Sequence, residues 1–398
     1  MQSPVDLADP DTFLTSDVHQ AFTDLRRVGP VHWQEPGCQR GFFAVVGYDA
    51  VVEVSREPLL FSASEGGITL EDSTPENLEM SRGMLVVMDP PRHGEHRRPL
   101  VPSFKARVIG ELEGQIREIC RTIMKEAAAA GPEVEFVHQV SALLPSRVMG
   151  RLMGLPENDW PYIHQLSERL LAGQDSATDG GSDGSAMVEL AGYAMQFAAE
   201  RRSQPPRPDL TDVLLTEEFG GKQMTDLDFA TFCVQLIGAG NDTSKTLTSS
   251  GLLALLRHPE QLAAVRADPE LLPGAVEEIL RWANPVHYMR RTATADTTIS
   301  GVPIATGDKV VLYYTSANRD ESVFADAQTF DIRRNPNRHL TFGFAEHFCL
   351  GAHLARLEAR VFFEELLPAF PQLELAGEPV RLRSNFTNGY RQLPVRLG

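Results

Sequence analysis

Apolar side chains recur every three or four positions through most of the middle of the chain, which is the spacing of one face of an α-helix. The pattern predicts helices over residues 157–171, 187–202, 225–257, 270–283 and 350–367. Helical spacing of this kind dominates from about residue 91 to residue 283. We therefore expect a helical core in this part of the chain.

Short apolar runs bounded by turn residues lie on both sides of the helical region, and they predict strands. These runs are residues 31–33, 42–46, 298–303 and 310–314. A further helix is expected from Asp49 onwards. The fold class that follows is mainly α with a minor β part.

The predicted helix over residues 225–257 is the longest, at about 45 Å for a rise of 1.5 Å per residue. Thr225 and Asp228 have the spacing of a capping box at its start. Its middle contains Gly238 and Gly240, and each glycine costs about 1 kcal/mol relative to alanine in a helix. Such a weak point indicates a kink or a close approach of the backbone to a ligand.

Residues 173–185 form a polar stretch of low complexity between two predicted helices. The stretch has almost no apolar side chain with which to pack, so we expect a mobile loop. The loop is either a linker between domains or a lid over a binding site.

Charge and cysteine content narrow the class of protein. The 398 residues include 37 basic and 54 acidic side chains, a net charge of −17, which argues against general nucleic-acid binding. The first residues do not resemble a signal peptide, and no apolar run approaches the roughly 20 residues of a membrane span. The four cysteines form no CxxC pair, which is typical of a reducing compartment and excludes a zinc cluster. We expect a soluble cytoplasmic protein that binds neither nucleic acid nor membrane.

The most informative segment is residues 342–351, which lead directly into the last predicted helix. Cys349 would lie at the N-terminus of that helix, near His347 and Arg356, where positive potential lowers the pKa of a thiol. Taken alone, the cysteine could equally be a buried structural residue. The spacing Phe-Gly-x-x-x-His-x-Cys-x-Gly, however, resembles the heme-ligand loop of the cytochrome P450 family.

This resemblance implies a cytochrome P450 fold, with heme b buried between the long central helix and the C-terminal helix. Cys349 would be the thiolate ligand of the iron. The other residues implied to contact the cofactor in this loop are Phe342, Gly343, His347 and Gly351. At the position of Ala345 most members of the family have a second glycine, and an alanine with positive φ would carry about 1 kcal/mol of strain.

Other segments, in the expected order along the chain, resemble further P450 motifs. His93 and Arg97 resemble the HxxxR motif that holds a heme propionate, and Arg291 matches another propionate partner. Glu278 and Arg281 match the ExxR pair, with Arg334 in the position of the third member of that structural lock.

The glycine-containing break in the long helix resembles the oxygen-binding site of the family. Ala239 and Gly240 would lie against the heme, and Asp242 and Thr243 would be the acid and alcohol that supply protons to the oxygen chemistry. Taken alone, both would be polar surface residues, but the helix around them is largely apolar. The resemblance covers nearly the whole chain and implies one domain over residues 1–398. Its parts are β-rich at about 30–60, helical at about 90–285, strands and ligand loop at about 286–351, and a final helix and β turn over 350–398.

The implied activity is that of a monooxygenase that inserts one atom of O2 into a hydrophobic small molecule. A peroxide-driven peroxygenase and a heme-thiolate sensor without turnover are the alternatives; neither needs the acid–alcohol pair. No flavin or nucleotide motif is present, so electrons would come from NAD(P)H through a ferredoxin reductase and a ferredoxin. Basic residues in 89–107 and 333–360, notably Arg98 and Arg356, would attract the ferredoxin. We expect a monomer.

The segments that line the substrate pocket in this family are largely apolar here, which indicates a terpenoid, a steroid, a branched lipid or a secondary metabolite. The residues expected in this pocket are Ile68, Leu70, Leu85, Val86, Leu170, Leu171, Ile237, Val286, Met289 and Phe386.

Overall fold

The computed structural model describes residues 5–15, 17–35, 41–172 and 184–398. The helices, numbered in chain order, are α1 (Asp17–Val28), α2 (Tyr48–Ser55), α3 (Pro75–Ser81), α4 (Arg92–Arg97), α5 (Ala106–Gly110), α6 (Glu113–Ala130), α7 (Leu143–Leu152), α8 (Trp160–Ala172), α9 (Gly184–Arg202), α10 (Leu210–Thr216), α11 (Asp226–Arg257), α12 (Pro259–Ala267), α13 (Leu272–Ala283), α14 (Tyr314–Ala317) and α15 (Ala352–Ala369).

The strands are short and lie mostly near the two ends of the chain. They are β1 (Val31–Gln34), β2 (Phe42–Val45), β3 (Phe61–Ser62), β4 (Glu133–Glu135), β5 (Glu218–Phe219), β6 (Lys222–Gln223), β7 (Tyr288–Ala293), β8 (Thr297–Ile299), β9 (Val302–Ile304), β10 (Lys309–Tyr313), β11 (Glu374–Leu375), β12 (Val380–Arg381), β13 (Tyr390–Gln392) and β14 (Pro394–Arg396).

The central helix α11 has 32 residues and is surrounded by other helices. Its start is the expected capping box, in which Thr225 and Asp228 each accept a hydrogen bond from the backbone N–H of the other. The helix runs unbroken through Gly238 and Gly240, so the expected weak point does not interrupt it. Helices α7, α8, α9, α13 and α15 pack around α11 and form the main hydrophobic core.

The largest sheet joins the two ends of the chain in the order β1-β2-β10-β7-β3. Strands β2 and β10 pair in parallel, and the other neighbours are antiparallel. A second sheet, β11-β14-β4, connects the start of the helical core to the C-terminal strands. Both sheets thus join segments that are far apart in the sequence.

The structure also bears on the polar stretch over residues 173–185 and on membrane-spanning helices. Most of the polar stretch over 173–185 lies outside the described residues, while Ser185 belongs to α9 rather than to a loop. Among the described residues, no helix has both the length and the apolar composition needed to cross a bilayer.

Candidate functional site

The loop before α15 holds Cys349 in a fixed backbone conformation. The N–H of Cys349 donates to the carbonyl oxygen of Phe342 at 2.8 Å, which closes the loop on itself. Gly343 and Ala345 have φ values of 71° and 54°, so the strain expected at Ala345 is present. Arg97 Nη2 donates to the carbonyl oxygen of Phe348 at 2.6 Å and ties α4 to the loop.

Cys349 is an exposed residue although protein atoms lie around its sulfur, so the thiol can be reached by a ligand. Burial raises the pKa of this thiol, whereas the N–H of Gly351 and the guanidinium groups of Arg97 and Arg356 oppose that rise. Cys120 and Cys233 are fully buried, and burial raises the pKa of both thiols. Cys349 is the accessible cysteine of the described part of the chain, and Cys38 lies outside it.

The side chains of His93, Arg97, Arg291 and His347 lie beside this loop. Most of their nitrogen atoms have no carboxylate partner among the described residues. The rings of His93 and His347 are 4.6 Å apart, and His93 Nδ1 lies 2.8 Å from Glu346. His347 Nε2 is buried without a hydrogen-bond partner among the described residues. Arg291 is 6% exposed and donates to the backbone carbonyl of its neighbour at 2.7 Å.

This set of donors fits a ligand that carries carboxylates. Burial, followed by the charges of Arg291, His93 and Arg97, lowers the pKa of His347 to about 2, so its ring is neutral. Arg97 and Arg291 form no ion pair with a carboxylate in the part of the chain that the structure describes. A buried guanidinium without an anion is costly. The two propionates of heme b would supply the missing anions, so the residues present fit that cofactor.

The acid and the alcohol expected on α11 occupy adjacent positions with different surroundings. Thr243 Oγ1 donates to the carbonyl oxygen of Ala239 at 2.7 Å. Asp242 is 9% exposed; its Oδ2 accepts from Thr387 Oγ1 at 3.2 Å, and its Oδ1 lies 3.3 Å from Lys245 Nζ. Ala239 is exposed although most of α11 is buried, so this part of the helix can be reached by a ligand.

Gly240, where a cofactor contact is expected, also has a packing role. A Cβ atom at Gly240 would lie 3.1 Å from the sulfur of Met149 on α7, whereas one at Gly238 would meet nothing within 4 Å. The small residue at Gly240 therefore allows close packing of α7 on α11. Gly238, on the other side of Ala239, is the glycine at which a side chain would meet no neighbouring atom.

A row of charged side chains extends from Asp242 through Lys245 and Glu168 to His138. The sequence analysis missed this row. Lys245 Nζ lies 3.2 Å from Glu168 on α8, and the other oxygen of Glu168 lies 2.8 Å from His138 Nδ1. Burial alone would raise the pKa of Glu168, but His138 and Lys245 lower it to about 2. The i, i+3 spacing of Asp242 and Lys245 was a usable signal. Thr387 offered none, because the turn that contains it is distant in sequence.

The residues of the expected structural lock are in contact. Glu278 and Arg281 on α13 are both 0% exposed, and Arg281 donates twice to Glu278, at 2.7 and 2.8 Å. Arg334 Nε donates to Glu278 at 3.2 Å, and Asn337, which the sequence analysis did not identify, donates to it at 3.1 Å. The same Arg281 also donates to backbone carbonyls of 318, 327 and 329, so the lock fixes the chain before the cysteine loop.

The structure brings several of the expected pocket segments together. The N–H of Arg290 donates to Ile68 at 2.9 Å, next to Met289, and the N–H of His287 donates to Phe386 at 2.8 Å, next to Val286. Gln235 on α11, which was not foreseen, accepts from the N–H of Leu85 at 2.7 Å. Six expected pocket residues are partly exposed, namely Ile68, Val86, Leu170, Val286, Met289 and Phe386.

The other expected pocket residues are placed differently. Ile237 and Leu70 are 0% and 1% exposed and belong to hydrophobic clusters, so neither offers surface to a ligand. Successive helical positions are rotated by about 100°, which puts Ile237 nearly opposite the accessible Ala239. Leu85 is 7% exposed and also packs in the core. The side chain of Leu171 lies outside the described residues.

Comparison with known proteins agrees with this geometry. The family model for cytochrome P450 matches residues 184–388. The methyl-branched lipid omega-hydroxylase of Mycobacterium tuberculosis (strain ATCC 25618 / H37Rv) is 40% identical over 395 residues, covering 96% of this chain and 92% of that protein. The linalool 8-monooxygenase of Pseudomonas putida is 36% identical over 406 residues, covering 100% and 99%.

A solved structure extends the similarity to the whole fold. A cytochrome P450 from Mycobacterium marinum in complex with pseudoionone is 35% identical, covers 99% of each chain and superimposes with a TM-score of 0.91. The predicted fold is therefore confirmed. With the family model matching half of the sequence and relatives aligned over nearly all of it, this chain belongs to the cytochrome P450 family and is a monooxygenase whose cofactor is heme b.

Proposed function

We propose that this enzyme hydroxylates or epoxidises a hydrophobic small molecule of the terpenoid, steroid or branched-lipid class, with O2 as oxidant and electrons delivered by a ferredoxin and its reductase. The observation that carries the proposal is the accessible Cys349 beside Arg97 and Arg291, which pair with no carboxylate among the described residues, and beside His347, whose Nε2 is buried without a partner there. When bound, heme with a thiolate ligand supplies the activation of dioxygen.

The residues of the chain have separable roles around the cofactor. Cys349 would be the iron ligand, and the N–H of Gly351 with Arg97 and Arg356 would stabilise its negative charge. Arg97, Arg291 and the histidine pair would hold the propionates, with neutral His347 donating from Nε2. The lock centred on Glu278 would keep this loop rigid.

Proton supply would pass through Asp242 and Thr243. The Oγ1 hydroxyl of Thr243 donates to the carbonyl oxygen of Ala239 beside the accessible part of α11, and rotation of the hydroxyl would redirect this proton towards a ligand. Asp242 is held on both oxygens, by Thr387 and Lys245, and it would return a proton to Thr243 Oγ1.

Two observations support a hydrophobic substrate. The partly exposed pocket residues are apolar side chains without a charged group among them. The similar proteins of M. tuberculosis and P. putida are named for methyl-branched lipids and for linalool. A further relative, 35% identical, is named a steroid C26-monooxygenase. A terpenoid, a steroid side chain or a branched lipid is therefore the substrate class proposed.

The basic docking surface for a ferredoxin is smaller than the sequence indicates. Arg356 pairs with Glu277 at 2.7 Å and its guanidinium carbon lies 4.5 Å from the centre of the Phe342 ring, so it is not free for a partner. Arg360 and Arg107 also pair with carboxylates. In segments 89–107 and 333–360, the exposed basic residues that pair with no carboxylate among the described residues are Arg92, Arg98, Lys105, Arg333 and Arg338.

The test compares Cys349→Ala with Cys120→Ala, its matched control. The native protein and Cys120→Ala should show the red-shifted Soret band of a thiolate–heme complex when reduced under carbon monoxide, and Cys349→Ala should lack it. Turnover of linalool is then measured with NADH, a surrogate ferredoxin and its reductase, and separately with hydrogen peroxide alone. Product only with peroxide would indicate a peroxygenase, and binding without product from linalool, pseudoionone or testosterone would indicate a sensor.

A further inference from the structure

Two buried cations lie on neighbouring strands of the largest sheet. Lys309 at the start of β10 is 1% exposed, and Arg290 on β7 is 5% exposed. Burying two positive charges has a large desolvation cost, which is tolerated only where anions and hydrogen-bond acceptors compensate for it. Neither residue belongs to the heme site, so their burial requires another explanation.

Both cations hold the same carboxylate. Lys309 Nζ lies 2.8 Å from Asp72 Oδ2, and Arg290 Nη1 lies 3.0 Å from Asp72 Oδ1. The Asp72 side chain is 56% exposed, so one side of this three-residue ion cluster faces solvent. Burial alone would raise the pKa of Asp72, but the hydrogen bonds and charges of Lys309 and Arg290 lower it below its ordinary value.

The same cations also hold the backbone before Asp72. Lys309 Nζ donates to the carbonyl oxygen of Leu70 at 3.3 Å, and Arg290 Nη1 donates to the carbonyl oxygens of residues 69 and 71 at 3.4 and 3.3 Å. The N–H of Leu70 donates to the hydroxyl oxygen of Tyr288 at 2.9 Å, and the N–H of Arg290 donates to Ile68 at 2.9 Å. Segment 68–72 is thus attached to β7 and β10 at nearly every residue.

Close approach of this segment requires a glycine just before it. A Cβ atom at Gly66 would lie 2.6 Å from Thr292 Oγ1 on β7. Beyond Asp72 the chain has no comparable anchor, because residues 73–77 are exposed. Asp72 therefore stands at the boundary between an attached segment and an exposed one.

We propose that Lys309, Arg290 and Asp72 form an ionic clamp that positions segment 66–70 as one wall of the substrate pocket, and that this clamp determines ligand affinity. The inference rests on the proposed function, in which Ile68 and Met289 contact the substrate. These three residues are positioning residues and do not touch the reacting atoms. Without the clamp, the wall samples other conformations, and binding selects the attached one.

The experiment uses the ferric holoenzyme and two probes, pseudoionone and imidazole. Asp72→Asn removes the charge and keeps the side-chain shape, and Glu71→Gln is the matched control at the neighbouring exposed carboxylate. If the attached conformation is about a tenth of the population in Asp72→Asn, the apparent Kd for pseudoionone rises about tenfold. The Kd for imidazole, a small iron ligand, should stay unchanged, and amide hydrogen exchange of segment 66–72 should increase. Glu71→Gln should behave as the native protein.

A second variant, Lys309→Met, tests the same clamp from its buried side. Lys309 and Asp72 are partners in the same ion pair, so each substitution breaks the same interaction. The double variant should therefore lose little more pseudoionone affinity than either single variant. Fully additive losses, or unchanged affinity and exchange in Asp72→Asn, would overturn the proposal. A parallel loss of imidazole and pseudoionone binding would also overturn it, because the effect would then be global. No electron donor is involved, so these readouts are independent of whether the proposed turnover is correct.

Discussion

A buried carboxyl group on α15 should make the stability of this enzyme depend on pH near neutrality. Glu358 is 3% exposed and packs against α11, where Ser244 supplies its side-chain hydrogen bond. No cation pairs with Glu358 in the part of the chain that the structure describes. Burial raises the pKa of Glu358 from its ordinary value of 4.5 to about 7, and Ser244 opposes this only in part.

The sign and the size of the effect follow from the difference between these pKa values. Between pH 4.5 and 7 the folded protein keeps the proton of Glu358 while the unfolded chain loses it. The free energy of unfolding therefore falls as the pH rises through this range, by about 3 kcal/mol in total, and stays constant above it. The variant Glu358→Gln cannot ionise, so its stability should lack this fall.

Thermal unfolding of the ferric holoenzyme between pH 5 and pH 8 measures the difference. With an unfolding entropy of about 2.1 cal/mol/K per residue, 3 kcal/mol corresponds to about 4 °C in Tm for a chain of this length. The Tm of Glu358→Gln relative to the native protein should rise by about that amount from pH 5 to pH 8. Glu378→Gln, at an exposed carboxylate, is the control and should follow the native profile. Parallel profiles for Glu358→Gln and the native protein would refute the reasoning.

The other predictions concern the cysteine loop, the proton pair and the docking surface. Ala345→Gly should raise the free energy of unfolding by up to about 1 kcal/mol in denaturant titrations, because φ at this position is 54°. Thr243→Ala should keep heme and ligand binding but release more hydrogen peroxide per NADH consumed. Asp242→Asn should lower the turnover rate by about 100-fold; normal rates and coupling in both variants would leave α11 with a structural role only. Arg98→Glu should slow reduction by ferredoxin at low salt and weaken its salt dependence, and an unchanged stopped-flow rate would exclude steering by this residue.

Features with a local cause could be predicted from the sequence. The capping box of α11, the strands β1 and β2 and the helices on either side of residues 173–185 depend on spacing and propensity within a short window, and the structure contains them. Positive φ at Ala345 followed from the position of the alanine in a recognisable loop. The pairing of β2 with β10 could not be predicted, because it joins distant segments and no short-range pattern specifies it.

The sequence predicted the candidate site about as well as it predicted the fold. Motif spacing identified the cysteine loop and the members of the Glu278 lock, which are in contact in the structure. It failed where a role depends on which way a helix is rotated, as for Ile237. It also missed partners supplied by remote turns and helices, such as Thr387 and Glu168, since long-range contacts leave no local signal.

The pairing of β2 with β10 has a consequence for synthesis of the protein. The hairpin of β1 and β2 is complete by Val45, but the strand that covers the other edge of β2 begins only at Lys309. Translation adds about 5–20 residues per second, so this edge waits for about 13–50 s. During that time β2 presents unpaired backbone groups and the side chains Phe42, Ala44 and Val45, all 0% exposed in the finished protein. An uncovered apolar strand edge is a template for pairing with other chains. Aggregation of the nascent protein should therefore begin at residues 42–45 rather than in the helices.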